Sequence, residues 1–390
     1  MKKGWETRKL GEVCSFKSGT TIDGKFEKNS GEIVYIKVGD MNLVGNENFI
    51  TLSSRYVDAT SIRSEQIIPI GSIIFPKRGG AIATNKKRRI LRPTIVDLNI
   101  MALVPSAIID HDYLYYWFQL TDLSDLSNGT SIPQINNYSF ENVYIAFPIS
   151  IQEQKRIVNI LIKAFAAIDK AKANTEKNLQ NVRELFESYL DGVFGKTDGE
   201  VRKLRDICEI SSNLIDPKKK EFQNLIHIGA GNIESRTGEL FDLKTAKEEN
   251  LISGKFLFDE SMVLYSKIRP YLMKVVKCEF SGLCSADIYP LKPFDDIVTK
   301  DFLYQILLSK VFTDYAILGS QRAGMPKVNR EHLFEYEVIL PSIQKQKVIV
   351  KNLDLINYEL KRLEKNYRSK LSNLDELKKV TLGKAFMGEL

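Results

Sequence analysis

Cysteine is scarce: four in 390 residues, with no C-x-x-C pair, which excludes a disulfide scaffold. Histidine is scarcer still. His111, His227 and His332 form no H-E-x-x-H pair, so a zinc site or metal-hydrolase centre lacks its donors. No stretch offers the roughly 18 uninterrupted apolar residues of a membrane-crossing helix, and MKKGWETRKL has no apolar run behind its lysines. A cytoplasmic, reducing setting without membrane attachment is expected. A P-loop is missing too: Gly19–Phe26 has the spacing of G-x-x-x-x-G-K, but Phe26 stands where Ser or Thr would hold magnesium. Gly229-Ala230-Gly231 reads as a tight turn after a strand, not a cofactor loop. No N-P-P-[YF] stretch is present to hold a flipped adenine. No Ser/His/Asp or Cys/His set stands out, and Glu248-Glu249 and Asp295-Asp296 read as solvated loop charges. No catalytic residue and no bound metal or cofactor is expected of this chain.

What is present is a basic excess of +7, with 43% apolar and 27% charged residues, in a chain long enough for two or three domains. The excess is unevenly spread. Residues 1–150 carry 17 basic and 15 acidic side chains, and residues 151–196 carry 8 and 6. Residues 197–342 carry 20 and 22, and residues 343–390 carry 11 and 6. Bulk charge is therefore weak evidence for nucleic-acid binding.

The most informative pattern is an internal repeat near 190 residues. Arg8-Lys9-Leu10-Gly11-Glu12-Val13-Cys14 recurs as Arg202-Lys203-Leu204-Arg205-Asp206-Ile207-Cys208. Ile36–Asn42 is echoed by Ile226–Asn232, and Asp112-Tyr113-Leu114-Tyr115 by Asp301-Phe302-Leu303-Tyr304. Ile132–Asn136 pairs with Met325–Asn329, and Phe147-Pro148 with Leu340-Pro341. The period exceeds any solenoid unit and fits a domain plus a long helix, duplicated. Between these anchors the copies diverge.

Each copy begins with about 145 residues of mixed character. Short β-branched runs, such as Ile33–Val38 and Ile70–Phe75, are bounded by turn residues, and Leu114–Leu120 fits a short helix. After Pro148, and again after Pro341, about 40 residues run without proline. Apolar residues recur there in a coiled-coil rhythm: Leu161, Phe165, Ile168, Val182 and Phe186, then Ile356, Leu360, Leu363, Tyr367, Leu374 and Leu377. A helix of about 40 residues is roughly 60 Å long. The expected fold is α+β: two related globular domains, 1–150 and 197–342, separated by an antiparallel two-helix spacer, 151–196 and 343–390, with a pseudo-twofold relation.

Basic residues cluster in both globular parts. Lys77, Arg78, Lys86, Lys87, Arg88, Arg89 and Arg92 form a dense group beside glycines. In the second copy Lys267, Arg269, Lys274 and Lys277 occupy the comparable stretch, and Lys218, Lys219 and Lys220 add a run. Lys and Arg on one face suit phosphates, and Arg suits guanine edges.

The whole chain resembles the specificity subunit of a type I restriction–modification system. The resemblance rests on Trp5…Leu10-Gly11, on Gly129-Thr130, on the junction Phe147-Pro148-Ile149-Ser150-Ile151-Gln152-Glu153-Gln154-Lys155-Arg156-Ile157, and on duplication of the plan. The second copy departs from it: no tryptophan, Arg205 for the glycine, and Lys345 for the junction's glutamate. The resemblance implies two target-recognition domains, each reading half of a bipartite double-stranded DNA site, and a helical pair that sets the gap. It implies docking of two methyltransferase subunits and of two motor-nuclease restriction subunits, with S-adenosylmethionine, ATP and Mg held by those partners. Two readers on one face of a duplex stand about 34 Å or a multiple apart. Two other classes stay open: a protein-binding adaptor without DNA, and a nuclease with an unrecognised site.

Overall fold

The computed structural model describes residues 2–129, 131–196, 198–211, 214–320 and 326–390. Thr130, Ser212 and Met325 lie outside the described residues. The chain divides into two compact units, Met1–Asn174 with Lys370–Leu390, and Thr175–Ser369. The boundary thus runs through both long helices, not at their ends.

In the first unit, strand Trp5–Lys9 pairs antiparallel with Tyr144–Pro148, closing the globular part on itself. A five-stranded sheet follows the order Cys14–Ser18, Ile100–Pro105, Ile73–Pro76, Arg88–Ile90, Phe49–Ile50. A three-stranded sheet sets Ile33–Ile36 between Tyr56–Val57 and Thr94–Val96, the last pair parallel. The Ile33 strand stops at Ile36, short of Val38, because Asp40 folds back. Its carboxylate accepts the Lys37 N–H at 2.8 Å and opens a 3-10 turn. The strand expected from Ile70 starts only at Ile73, after Gly71 turns at φ 85°, a conformation glycine adopts freely. The short helix runs His111–Phe118, three residues ahead of its expected start, because Asp110 caps the N–H groups of Asp112 and Tyr113. It packs Tyr113, Leu114 and Phe118 onto Phe75, Leu103 and Phe147.

The second unit repeats the plan. Glu200–Lys203 pairs with Glu337–Leu340. A four-stranded sheet orders Cys208–Ile210, Ile288–Pro293, Val263–Ser266 and Val275–Lys277. A five-stranded sheet pairs Ile226–Ile228 parallel with Gly282–Cys284. Helices Lys300–Leu308 and Lys310–Leu318 cover the core against the four-stranded sheet. Register proves the duplication: Ile73 lies between Leu103 and Arg89, and Val263 between Leu291 and Lys277. One sequence anchor slips by two. Ile36 stands opposite Val96 and Ile228 opposite Cys284, so Ile36 matches Ile228, not Ile226. Asn232 then takes the place of Asp40, accepting the Gly229 N–H at 2.8 Å as Asp40 accepts Lys37.

Two long helices run Ile151–Lys196 and Ile343–Phe386. Each begins with a fully buried glutamine that bonds three backbone groups of its globular part. Gln154 accepts the Asp110 N–H at 2.7 Å and donates to the carbonyls of Ile108 at 3.1 Å and Pro148 at 2.8 Å. Gln346 does the same with Thr299, Ile297 and Pro341, each at 2.9 Å. Within the first unit the helices are antiparallel: Lys172 meets Asp375 at 2.7 Å and Asp169 meets Lys378 at 2.9 Å. Leu161 and Ile168 are buried there, and Phe165 packs against the same core. Val182, Ile356, Leu360, Tyr367 and Leu374 are partly buried, while the Phe186 side chain lies outside the described residues. Leu363 and Leu377, expected in the seam, are exposed. Partly buried positions run instead through 360, 364, 367, 371, 374 and 378. The helical period therefore puts Glu364 and Lys378 where leucine had been expected, and the Lys378 ammonium lies 4.9 Å from the Phe165 ring centroid. No helix among the described residues is long and apolar enough to cross a membrane.

Candidate nucleic-acid interface

The basic run Lys86–Arg89 enters a strand, and strands alternate their faces. Lys87 and Arg89 turn inward onto the helix His111–Phe118, and both are buried. Lys87 donates to the Thr121 carbonyl at 2.6 Å, just beyond the helix's C-terminal end, and to Asn85 Oδ1 at 2.8 Å. Arg89 forms an ion pair with Asp112 in the helix's first turn, and its guanidinium lies 3.8 Å from the Phe49 ring centroid and 4.2 Å from that of Tyr115. In this arrangement neither can reach a phosphate, which corrects their place in the candidate patch. The second unit repeats the bond: Lys277, in the register position of Arg89, pairs with Asp301, the match of Asp112. Lys277 is therefore a fastening between strand and helix as well.

The remaining candidates are more open. Arg88 is partly buried against its own chain, its guanidinium bonding the Lys87 carbonyl. Lys86 bonds Asn42 Oδ1, and Arg92 reaches the Thr51 carbonyl at 3.3 Å. Lys77 donates to Ser18 Oγ at 2.9 Å, and Arg78 next to it is exposed. Both precede the turn Gly79–Thr84, which is tied to a second loop through Gly79 N–H to Pro133 at 2.8 Å and Ile135 N–H to Lys77 at 2.9 Å. In the second unit Lys218, Lys219 and Lys220 are all exposed, and Lys274 donates to the Ala230 carbonyl at 2.6 Å. Arg269 is exposed, held at φ 49° where its N–H bonds Pro326 at 2.9 Å. Lys267 lies 4.9 Å from the centroid of the Tyr289 ring. Two cations not singled out in the sequence join it. Lys327 sits 3.7 Å from Asp287, and Arg330 lies 6.0 Å from the same Tyr289 centroid. Lys327 had been noticed only as a repeat anchor, and the spacing Lys327–Arg330 gives no basic run.

Other polar groups have structural partners. Asp110, His111 and Asp112 bring ligand atoms within 4.8 Å of one another, but Asp110 caps the helix and Asp112 holds Arg89. Glu248 and Glu249 are not loose loop charges. Glu248 accepts the Thr245 N–H at 2.7 Å, and Glu249 meets buried His227 Nδ1 at 2.7 Å. Gly19 lies against the backbone of Asp97, where an added Cβ would stand 2.0 Å from its carbonyl oxygen. The glycine serves packing.

Burial pushes the Lys87 ammonium down from its ordinary 10.5 to about 8. Below about pH 8 the lysine is charged in both folded and unfolded chains, so its burial penalty is fully present. The penalty disappears as pH rises to about 10.5, because the unfolded chain binds the extra proton in between. Wild type should therefore gain stability over Lys87→Met across that window. Melting temperatures of the pair measured from pH 7.5 to 10.5 check this, and a constant difference would refute it.

The family model described as Type I restriction modification DNA specificity domain matches residues 2–180 and again 196–373. The type I restriction enzyme EcoDI specificity subunit of Escherichia coli is 24% identical, over 99% of this chain and 88% of its own. The MjaVIII specificity subunit of Methanocaldococcus jannaschii is 23% identical, over 95% and 91%. Among solved structures, a chain from work on complex assembly and conformational transition of the type I R-M system matches with TM-score 0.77 at 17% identity, covering 100% of this chain and 99% of that one. The HsdS subunit from Thermoanaerobacter tengcongensis matches with TM-score 0.63, also at 17% identity, covering 100% and 98%. At such identity the solved structures speak for the fold.

Proposed function

Because the chain belongs to the family of type I restriction–modification DNA specificity subunits, we propose that residues 1–150 and 197–342 each read one half of a bipartite duplex site. Recognition of a DNA target within a type I restriction–modification complex is the chain's task, and it addresses chemistry performed by other subunits. The observation that carries the two-half reading is a common frame bearing unlike loops. The buried glutamine, the closing strand pair and the strand–helix ion pair recur in both units. Yet Lys77, Arg78 and Gln134 of the first unit match Lys267, Ile268 and Lys327 of the second.

Phosphate contact falls to the cations left open: Lys77, Arg78, Lys86 and Arg92 in the first unit, and Lys218, Lys219, Lys220, Lys267, Arg269 and Lys274 in the second. Phosphate contacts fix register, while base edges give sequence. The helices 151–196 and 343–390 serve as spacer between the readers and as the seat of two methyltransferase subunits, which two motor-nuclease subunits complete for cleavage. S-adenosylmethionine, ATP and Mg belong with those partners, and methylation there requires flipping the target base out of the duplex.

The test is a domain exchange. Replacing residues 17–130 with the matching part of another family member, in cells supplying the methyltransferase, should change one half of the methylated motif and leave the other. Methylome sequencing that finds both halves altered refutes the assignment of one unit to one half.

A further inference from the structure

We infer that Lys267, Lys327 and Arg330 of the second unit form a clamp for a DNA backbone phosphate, with no counterpart in the first. The inference rests on the reading of this unit as a DNA reader and adds which contact holds its half of the duplex in register.

Three cations from three segments converge, Lys267 and Arg330 against the Tyr289 ring and Lys327 beside Asp287. Lys267 follows the strand Val263–Ser266, Lys327 lies on the neighbouring loop, and Arg330 opens the short helix Arg330–Phe334. Backbone bonds fix the loops to each other: Val328 N–H donates to Lys267 at 2.8 Å and Lys267 N–H to Asp287 at 3.0 Å. Lys267 and Arg330 both lie against Tyr289, whose hydroxyl is tied to the Val328 carbonyl at 3.1 Å. Among the described residues, Asp287, 3.7 Å from Lys327, is the one carboxylate in an ion pair with the group, and Arg330 has none. Burial and the neighbouring charges of Lys327 and Arg330 both lower the Lys267 ammonium below its ordinary value. Three positive charges against one negative form a concentration of charge that a bound anion would relieve. Lys327 and Arg330 are exposed, so a duplex can reach them.

The first unit keeps only Lys77. Gln134, Asn137 and Met101 stand at the places of Lys327, Arg330 and Tyr289, and Asn99 at that of Asp287. Lys77 there donates to Ser18 Oγ at 2.9 Å, with no second cation at the matching positions. The two halves of the duplex are therefore gripped unequally.

The experiment uses the full chain in complex with its methyltransferase subunits, comparing wild type with Lys327→Gln/Arg330→Gln. Duplex affinity is measured from 50 to 200 mM salt, alongside methylome sequencing. Losing this one phosphate contact should make the salt slope shallower by about 0.9, so that wild type loses roughly three- to fourfold more affinity than the variant across that range. The methylated motif should stay the same. An unchanged slope overturns the clamp while leaving DNA reading intact. A changed second half of the motif also overturns it, because the residues would then be touching bases. If the wild-type complex itself shows no sequence-specific binding, the reading fails first and the clamp with it.

Discussion

Replacing Gln154 by leucine is expected to lower the stability of the first unit by about 3–5 kcal/mol. The glutamine is completely buried, and its amide satisfies the Asp110 N–H and the carbonyls of Ile108 and Pro148 at once. Leucine fills a similar volume but leaves three main-chain groups without partners, each costing about 1–3 kcal/mol when buried. Some of that cost is relieved by relaxation toward solvent, hence the lower sum. Both tryptophans, Trp5 and Trp117, belong to this unit, so denaturant unfolding followed by tryptophan fluorescence reads the effect directly. A loss under about 1 kcal/mol would mean that the three groups find other partners. The same bonds explain the family's Glu-Gln junction. Glu153 makes only a surface pair with Arg156 at 2.7 Å, so Lys345 in its place costs the second copy little, while Gln346 retains all three bonds.

The strand–helix ion pairs should respond unequally to the same change. Asp112→Ala leaves the Arg89 guanidinium, 7% exposed, without its countercharge, and breaking such a buried pair costs about 3–5 kcal/mol. Asp301→Ala breaks the matching pair, whose side chains are 30% and 48% exposed. There the cost should stay within about 1 kcal/mol. Thermal or denaturant unfolding of the two variants decides it, and equal losses would show that depth does not govern these bonds. Charge reversal at Arg89 would then report on folding, not on DNA.

The long helices could be read from the sequence because forty residues without proline and a 3.5-residue rhythm leave few other structures. The duplication could be read because its anchors coincide with buried hydrogen bonds and core positions. Four details escaped, each for a physical reason. Lys86–Arg89 looks like one solvated patch, but a strand sends alternate residues to opposite faces, and Asp112 lies far away in sequence. Leu363 and Leu377 fit a greedy choice of leucines, whereas the helical period selects Glu364 and Lys378. The clamp around Tyr289 escaped because its cations come from separate segments brought together only by the loop pairing at Val328. The slip at Ile36 arose because glycine and asparagine fell in step with the wrong residues, while the parallel strand register decides otherwise.

The first unit takes in residues 370–390: Leu382, Ala385 and Phe386 complete its core, with Phe386 edge-on to Tyr113 at 5.0 Å. On the ribosome this reverses the usual order of completion. At roughly 5–20 residues per second, about 195 residues lie between Asn174 and Lys370, so the unit that emerges first waits roughly 10–40 s for its missing wall. The contiguous second unit has its whole sequence available sooner. During that interval Tyr113 and its neighbours stand uncovered, and translation speed becomes a determinant of how much of the protein reaches its native state.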